Sequence, residues 1–427
     1  MNLQNHSLLI TSALSTIARF AGVGLNFAVA ITLTRNLPMH EAGMVFMLMT
    51  LVTGISLFSR LGVEQWLVRD VARIPETEQR QQGQYLQAAY RLVLLSSVVF
   101  MLGWLVFAPL TQHLLFDDAI QLLPLLAAGS GILFFNLVML NSAFLKAIRH
   151  TSQSLLVQNA LPAVTYMLLI VVFWMIFTQN QHYLWLYIAS LLLAGLWSFH
   201  WLRPWWQDLS PAVSTPFKVR DVLQQSLPLA PVSFFSFLML WADTLLTGLL
   251  LSNEDVALFT VAARLSFVSL FFLGALDATI YPRLLKIHKQ QPEQTRRFFW
   301  QATGLVAGVL GIVTLLLLMT SDFILAVFSL EYVQAGMALA ILLVAQFVRA
   351  MSLTFSFMFI IQEQVRYLNI LLMSALVVNI IANLLMIPHY GIEGAAGATL
   401  LANLVLTGGV IVFFFKNRLL NDQGRLS

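Results

Sequence analysis

Five charged side chains interrupt otherwise apolar stretches of the sequence: Arg19, Asp243, Arg264, Asp277 and Arg349. A charge at the centre of a membrane helix costs about 2.5 to 3.5 kcal/mol on insertion scales, so each one requires a water-filled cavity or a partner. All three cations are arginine. A guanidinium stays charged in a dry site and binds two phosphate oxygens at once through parallel hydrogen bonds. These positions therefore predict a site for an anionic group inside a membrane protein.

A structural role is the alternative for the same arginines, because buried cations also hold helix bundles together when they are paired. Asp243 and Arg264 fall in the outer halves of adjacent apolar stretches, and we expect them to face each other. Asp277 is expected to pair with Arg283. Arg60, at the inner end of the second stretch, is a further candidate for the anion site, although an arginine there is often only a topological anchor.

A second group of polar residues has the chemistry of a cation site. Asn379 and Asn383 are spaced i, i+4, which places both amides on one face of a helix. Together with Thr399 and Asp243 they offer a hydroxyl, two amide oxygens and a carboxylate, a hard-oxygen set that suits Na⁺. Protonation of Asp243 is an equal competitor to sodium. The alternative is hydrogen bonding between helices, which Asn and Thr commonly supply in membrane bundles.

The composition of the chain indicates where these residues lie. Of 427 residues, 59% are hydrophobic and 10% are charged, with no cysteine, whereas a soluble domain carries roughly 25% charged residues. With about 20 residues per crossing, the sequence predicts an all-α polytopic membrane protein with twelve transmembrane helices. The predicted spans are 8–33, 42–59, 92–110, 122–144, 155–177, 184–202, 227–251, 256–281, 298–319, 335–361, 368–387 and 394–415.

The distribution of Lys and Arg predicts the orientation, because short basic loops stay in the cytoplasm. With both termini cytoplasmic, the outer connections contain one basic residue, Arg35, and the inner connections contain nearly all the others. The basic residues therefore report topology, and no nucleic-acid partner is expected. The outer connections are also too short to hold a catalytic domain, so we expect no enzyme, and no cofactor other than a coupling ion.

The proline-rich link from Arg203 to Gln225 separates two groups of six spans. We therefore predict an N-terminal six-helix lobe at residues 1–210 and a C-terminal six-helix lobe at residues 211–427. The turn after the first span resembles the turn after the seventh, and Arg69 matches Arg283 at the same offset. Six spans per half give both halves the same orientation, as in parallel repeats, which suit alternating access.

Two segments carry a resemblance to a known family. Residues 34–73 resemble the first-to-second-span signature of polysaccharide flippases of the Wzx type, and residues 387–404 resemble the second signature of their superfamily, the MOP (multidrug/oligosaccharidyl-lipid/polysaccharide) exporters. The resemblance implies translocation of an undecaprenyl-pyrophosphate-linked oligosaccharide, such as an O-antigen unit of lipopolysaccharide, across a bacterial inner membrane. It supports Arg19 and Arg264 as arginines that bind pyrophosphate in a cleft between the lobes. Arg60, at the inner mouth, and Arg349 are further candidates, although the tenth span, which carries Arg349, is peripheral in similar proteins. The Asp243 group also looks like the sodium site of lipid II flippases.

Two other functions compete with this interpretation. A MATE-like cation-coupled antiporter of organic solutes, with the same fold, predicts an acidic cavity. A membrane-bound polysaccharide polymerase or ligase predicts a large outer loop, which this chain does not have. We expect a monomer surrounded by membrane lipids, and the sequence leaves open whether a polysaccharide polymerase or a chain-length regulator binds it.

Overall fold

The computed structural model describes residues 3–75, 77–116, 118–176, 182–209 and 218–417. Within these ranges every regular element is a helix, so the predicted all-α class is confirmed. The helices of the first half that are long and apolar enough to cross a membrane are α1 (Leu3–Asn36), α2 (Met39–Ser59), α3 (Gln79–Phe116), α4 (Leu122–Ala147), α5 (Thr151–Ile176) and α6 (Tyr183–Trp205).

The second half follows the same plan. Its long helices are α7 (Ala230–Leu250), α8 (Asn253–Gln290), α9 (Pro292–Met319), α10 (Gly336–Ile361) and a continuous helical stretch, Val365–Lys416. Helix α8 begins with a capping box: the Ser252 hydroxyl accepts a hydrogen bond from the Asp255 amide, and the Asp255 carboxylate accepts one from the Ser252 amide. Two short helical segments, Ser321–Phe328 and Leu330–Ala335, connect α9 to α10.

The stretch Val365–Lys416 contains two spans. Its 52 residues would extend about 78 Å at 1.5 Å per residue, more than twice the thickness of a hydrocarbon core. Gly391 breaks the stretch with φ 58° and ψ −136°, a backbone conformation that glycine adopts without strain. Counting α11 (365–390) and α12 (392–416) separately, the described ranges contain twelve helices that correspond to the twelve predicted spans.

Several helices extend beyond the predicted spans, because a search for apolar runs does not detect polar extensions. Helix α3 begins at Gln79, well before the predicted residue 92, and α8 continues past Pro282 to Gln290. The polar start of α3 is packed within the protein: the Trp205 indole donates a hydrogen bond of 3.2 Å to Gln82. The observed helices are therefore longer than the apolar runs from which the spans were predicted.

Two short helices next to the second and seventh spans were not predicted. Val63–Val71 follows Gly62, and Val219–Ser226 precedes Leu227. Gly62 has φ +76°, and a Cβ there would lie 2.4 Å from the Ser226 carbonyl oxygen, so only glycine allows this close approach. The Trp66 indole also donates to the Gln225 amide at 3.0 Å. Part of the proline-rich link is therefore a packed helix.

The chain divides into two compact units, Met1–Phe237 and Leu238–Ser427. The predicted lobe boundary between residues 210 and 211 lies outside the described residues. The N-terminal unit has a core around Trp66, Phe144 and Val222, which are fully buried. The C-terminal unit has a core in which Phe299 stacks on Phe414, with ring centroids 5.1 Å apart.

Candidate functional site

The Asp243 carboxylate in α7 is the centre of a polar cluster in the C-terminal unit. Its Oδ1 accepts hydrogen bonds from the side-chain amides of Asn379 at 2.9 Å and Asn383 at 2.6 Å. Its Oδ2 accepts a hydrogen bond of 2.5 Å from the Thr399 hydroxyl. The structure thus brings together all four residues of the predicted cation site.

The geometry of the cluster follows from the helical hairpin around Gly391. Asn383 precedes Gly391 by eight residues and Thr399 follows it by eight residues, so each lies about 12 Å along its helix from the turn. Asn379 lies one turn farther from Gly391, on the same face of α11 as Asn383. Close packing near the turn depends on Gly394, where a Cβ would lie 2.4 Å from the Met386 carbonyl oxygen.

The side chains of this cluster carry the oxygen types that bind a small cation, and both asparagines would have to rotate their amides to turn those oxygens, in place of the NH2 groups, towards an ion beside Asp243. Asp243, Asn379, Asn383 and Thr399 supply carboxylate, amide and hydroxyl oxygens, which are the ligands that hard cations prefer. Asn383 is fully buried, and its Oδ1 has no hydrogen-bond partner among the described residues. A buried acceptor without a donor costs about 1 to 3 kcal/mol, so a bound proton or cation beside this oxygen would relieve the cost.

Two of the predicted arginines line one pocket with three members of this cluster, Asp243, Asn379 and Thr399. Arg264 of α8 and Arg349 of α10 both border it, together with Gln346, whose Oε1 is buried without a hydrogen-bond partner. Within the described residues, no carboxylate lies within ion-pair distance of Arg349. The polar and charged residues that line the pocket are Asp243, Thr244, Thr260, Arg264, Ser266, Gln346, Arg349, Asn379, Thr399 and Asn403.

The charge of the pocket favours an anionic occupant. Two guanidinium groups and one carboxylate line it, and the carboxylate is hydrogen-bonded by the three neutral donors described above. Arg349 is half-buried and has no carboxylate within ion-pair distance among the described residues, so an anion that enters the pocket would stabilise it. Gln346 precedes Arg349 by three residues and lies on the same face of α10. The sequence analysis missed Gln346, although a polar pair at this spacing in an apolar span was a usable signal.

Arg60, in the N-terminal unit, has protein partners in this structure. It is 4% exposed, and its Nη1 donates a hydrogen bond of 2.9 Å to Asn136 Oδ1. Its guanidinium pairs with Glu64 and lies 6.0 Å from the centroid of the Phe135 ring. Asn136 in turn donates to the Ser59 hydroxyl. These contacts are the ones expected if Arg60 holds neighbouring helices together. Substrate binding by Arg60 stays a prediction.

The other two charged positions have different surroundings. Arg19 of α1 is exposed within the N-terminal unit, and its predicted contact with substrate stays a prediction. The expected pair between Asp277 and Arg283 was wrong. No ion pair joins them among the described residues, and Arg283 instead lies 5.2 Å from the centroid of the Phe298 ring. Six residues along a helix correspond to about 240° of rotation at 3.6 residues per turn, so the two side chains point to different faces.

Comparison with known proteins identifies the family. The sequence profile of a family described as "Polysaccharide biosynthesis protein" matches residues 9–288, more than half of the chain. The chain belongs to the polysaccharide biosynthesis protein family. The matched range begins in α1 and ends in α8, so it includes the residues 34–73 that suggested the resemblance. Among curated protein sequences, no match was found for this family member.

Solved structures show the fold of this polysaccharide biosynthesis protein. An inward-facing multidrug resistance MATE transporter of the MOP superfamily matches with a TM-score of 0.70 at 16% identity, over 96% of this chain and 99% of the other. The lipid II flippase MurJ in an inward closed conformation matches with a TM-score of 0.70 at 13% identity, over 96% and 87%. A MOP transporter from Pyrococcus furiosus, whose binding pocket is described as having reverse polarity, matches with a TM-score of 0.57 at 16% identity, over 97% and 96%. The family is shown by the profile match, and the fold is the one seen in these solved transporters of the MOP superfamily.

Proposed function

We propose that this protein is a flippase that moves an undecaprenyl-pyrophosphate-linked oligosaccharide across a bacterial inner membrane, from the cytoplasmic to the periplasmic leaflet. The family supports a role in polysaccharide biosynthesis, and the fold is shared with membrane transporters. The oligosaccharide is that of an O-antigen or a similar repeat unit. In this proposal both termini are cytoplasmic, and the chain binds its substrate without chemical change.

One observation carries the choice of an anionic substrate: Arg264 and Arg349 line the same pocket, and Arg349 has no carboxylate partner among the described residues. A pyrophosphate has oxygens on both phosphorus atoms, so two separate guanidinium groups can each bind it through paired hydrogen bonds. Binding of the headgroup by Arg19 of the N-terminal unit is a separate part of the proposal. Arginine suits this role better than lysine because its planar fork matches phosphate geometry.

Coupling to an ion is the second part of the proposal. Asp243, Asn379, Asn383 and Thr399 would hold Na⁺ or a proton, which would neutralise the carboxylate. With Asp243 neutralised, the arginines in the same pocket lose their only opposite charge within it and attract the substrate pyrophosphate more strongly. With Asp243 ionised, part of that attraction is cancelled. The shared pocket thus gives a physical link between ion binding and affinity for the headgroup, consistent with alternating access.

An antiporter of organic cations is the alternative, and the pocket argues against it. Such a substrate requires a carboxylate that is not cancelled by nearby cations, yet Asp243 lies in a pocket with two arginines. The two functions make opposite predictions for a variant without Arg349. Loss of this cation weakens the attraction of an anionic lipid headgroup and strengthens that of an organic cation.

Export in cells tests the proposed function. In a host that lacks the chromosomal copy of this chain, wild-type protein should restore surface glycan. Arg264→Ala and Arg349→Ala should reduce export about tenfold to a hundredfold, because a hydrogen-bonded charge contributes about 1.5 to 3 kcal/mol. The lipid-linked oligosaccharide should accumulate on the cytoplasmic leaflet. Arg366→Ala is the matched control, since Arg366 is exposed and outside this pocket. Normal export by both pocket variants at equal protein levels would exclude the anion site.

A further inference from the structure

A second pocket lies in the N-terminal unit, at the end of the helices that the Lys and Arg distribution places on the outer side of the membrane. Its walls are formed by residues at the start of α2, by residues at and just before the start of α4, and by residues at the start of α6. Three consecutive outer connections of the first half therefore contribute to it. Its lining residues are Leu37, His40, Glu41, Met44, Val45, Ala119, Ile120, Gln121, Pro124, His182, Tyr183, Leu184 and Trp185.

The polar groups of this outer pocket suit a ligand that is rich in hydroxyl groups. Glu41 lies in the first turn of α2, where the helix dipole stabilises a carboxylate. No described residue forms a hydrogen bond or an ion pair with this carboxylate. The amide of Gln121 and the imidazoles of His40 and His182 add both donors and acceptors. Adjacent hydroxyls of a sugar ring donate to a carboxylate and accept from amide and imidazole N–H groups.

The aromatic groups of the pocket suit the apolar face of a sugar ring, where the C–H groups lie. Trp185 is 38% exposed, and its indole lines the pocket rather than being covered by other side chains. The C–H groups on one face of a pyranose pack against such a ring. Tyr183 is 4% exposed, and its hydroxyl accepts a hydrogen bond of 3.1 Å from the Trp174 indole. This bond fixes one wall of the pocket in position.

Other ligands fit the same residues less well. None of the described lining residues is Lys or Arg, so the pocket does not attract a phosphate. Within the described residues, no group of three or more His, Asp or Glu side chains is arranged to hold a metal ion. A tryptophan at a membrane interface is common, but an interface residue alone does not explain a carboxylate without a partner in the same pocket.

We propose that this outer pocket binds a neutral sugar residue of the exported glycan, with the ring stacked on Trp185 and its hydroxyls held by Glu41 and Gln121. The inference rests on the proposed function for the identity of the glycan. It assigns recognition of the sugar to the N-terminal unit, whereas the arginine pocket of the C-terminal unit recognises the charged headgroup. Because the outer pocket lies among outer connections, it holds the glycan on the side where the glycan is released.

Saturation-transfer NMR on the full chain in lipid nanodiscs tests the outer pocket. The probes are maltose, lactose, N,N′-diacetylchitobiose and the repeat unit released by mild acid from the surface glycan of the host, all without lipid or pyrophosphate. We expect at least one of them to bind, with transfer concentrated on the C–H protons of one ring face. Trp185→Ala should weaken that binding about tenfold, and Trp185→Phe should retain most of it. Glu41→Gln should weaken it severalfold.

Trp197→Ala is the matched control, because Trp197 belongs to the same helix, is 48% exposed and does not line the pocket. Three results would each overturn the inference. The first is that no probe binds to wild-type protein. The second is that Trp185→Ala and Trp197→Ala weaken sugar binding equally. The third is that the protein binds Ca²⁺ in a Glu41-dependent way and binds none of the sugars. The proposed function is measured separately, by translocation of the lipid-linked substrate in the same preparation. If translocation fails while sugar binding is intact, the proposed flippase function is rejected and the proposed sugar site is retained.

Discussion

Replacing Asp243 separates its role in ion coupling from its role in packing. Asp243→Asn keeps the shape of the side chain and an oxygen that accepts from both asparagine amides, but it cannot ionise. Asp243→Ala removes the acceptors altogether. Asn383 and Thr399 retain second acceptors, the carbonyl oxygens of Asn379 and Ala395. The alanine variant therefore leaves chiefly the Asn379 amide without a partner, a cost of about 1 to 3 kcal/mol.

The asparagine variant should be as stable as wild type or slightly more stable, since removing a buried charge offsets its weaker hydrogen bonds. In detergent, the midpoint of thermal unfolding should be highest for Asp243→Asn, close to it for wild type, and lowest for Asp243→Ala. Transport should show a different order. In proteoliposomes, a tenfold gradient of the coupling ion supplies about 1.4 kcal/mol per ion, which allows up to about a tenfold bias in the distribution of substrate. Both variants should lose this bias, and only Ala should lose stability.

Two results would refute the coupling role of Asp243. One is an asparagine variant whose transport still responds to a sodium or proton gradient as wild type does. The other is a coupling loss that occurs only in the less stable alanine variant, which would assign to Asp243 a purely structural role. Measuring sodium and proton gradients separately shows which ion the protein uses.

Three further predictions concern other parts of the molecule. Asn383→Leu should weaken the dependence on the ion gradient while transport without a gradient continues, and an unchanged response in proteoliposomes would remove Asn383 from the cation site. Arg60→Met should lower stability by about 1 to 3 kcal/mol, because the partly exposed Glu64 carboxylate and the buried Asn136 amide oxygen lose their partner; lost export with normal thermal stability would instead favour substrate binding. Gly394→Ala should shift the Gly391 hairpin, since the added Cβ would collide with the Met386 carbonyl oxygen; the expected result is a lower midpoint of thermal unfolding, and an unchanged midpoint would contradict the described packing.

The fold was largely predictable from the sequence because membrane helices leave a direct signal. Apolar runs gave the twelve spans, including the pair that forms one continuous stretch around Gly391. The sequence did not predict the short helices Val63–Val71 and Val219–Ser226. Each has a single apolar face that is buried only by contacts between distant segments, as in the bond from Trp66 to Gln225. Local pattern carries no information about such contacts.

The candidate site was predictable where its geometry is local. The i, i+4 spacing places the two asparagines on one face of a helix, and the structure brings Thr399 and the Asp243 carboxylate to that face. The surroundings of Arg60 were not predictable, because its partner Asn136 is 76 residues away in sequence. An arginine at the end of a span gives the same sequence signal whether it contacts a substrate or a neighbouring helix.

In the proposed function, arginines within the membrane bind the anionic headgroup of a lipid-linked sugar. Translocation of a fluorescent undecaprenyl-pyrophosphate oligosaccharide by purified protein in proteoliposomes tests it most directly, with a neutral lipid bearing the same sugar as competitor. We predict transport by wild type and Arg366→Ala, a loss of about tenfold or more in Arg349→Ala and Arg264→Ala, and no competition by the neutral lipid. Equal rates in all four proteins, or equal transport of the neutral lipid, would contradict the claim.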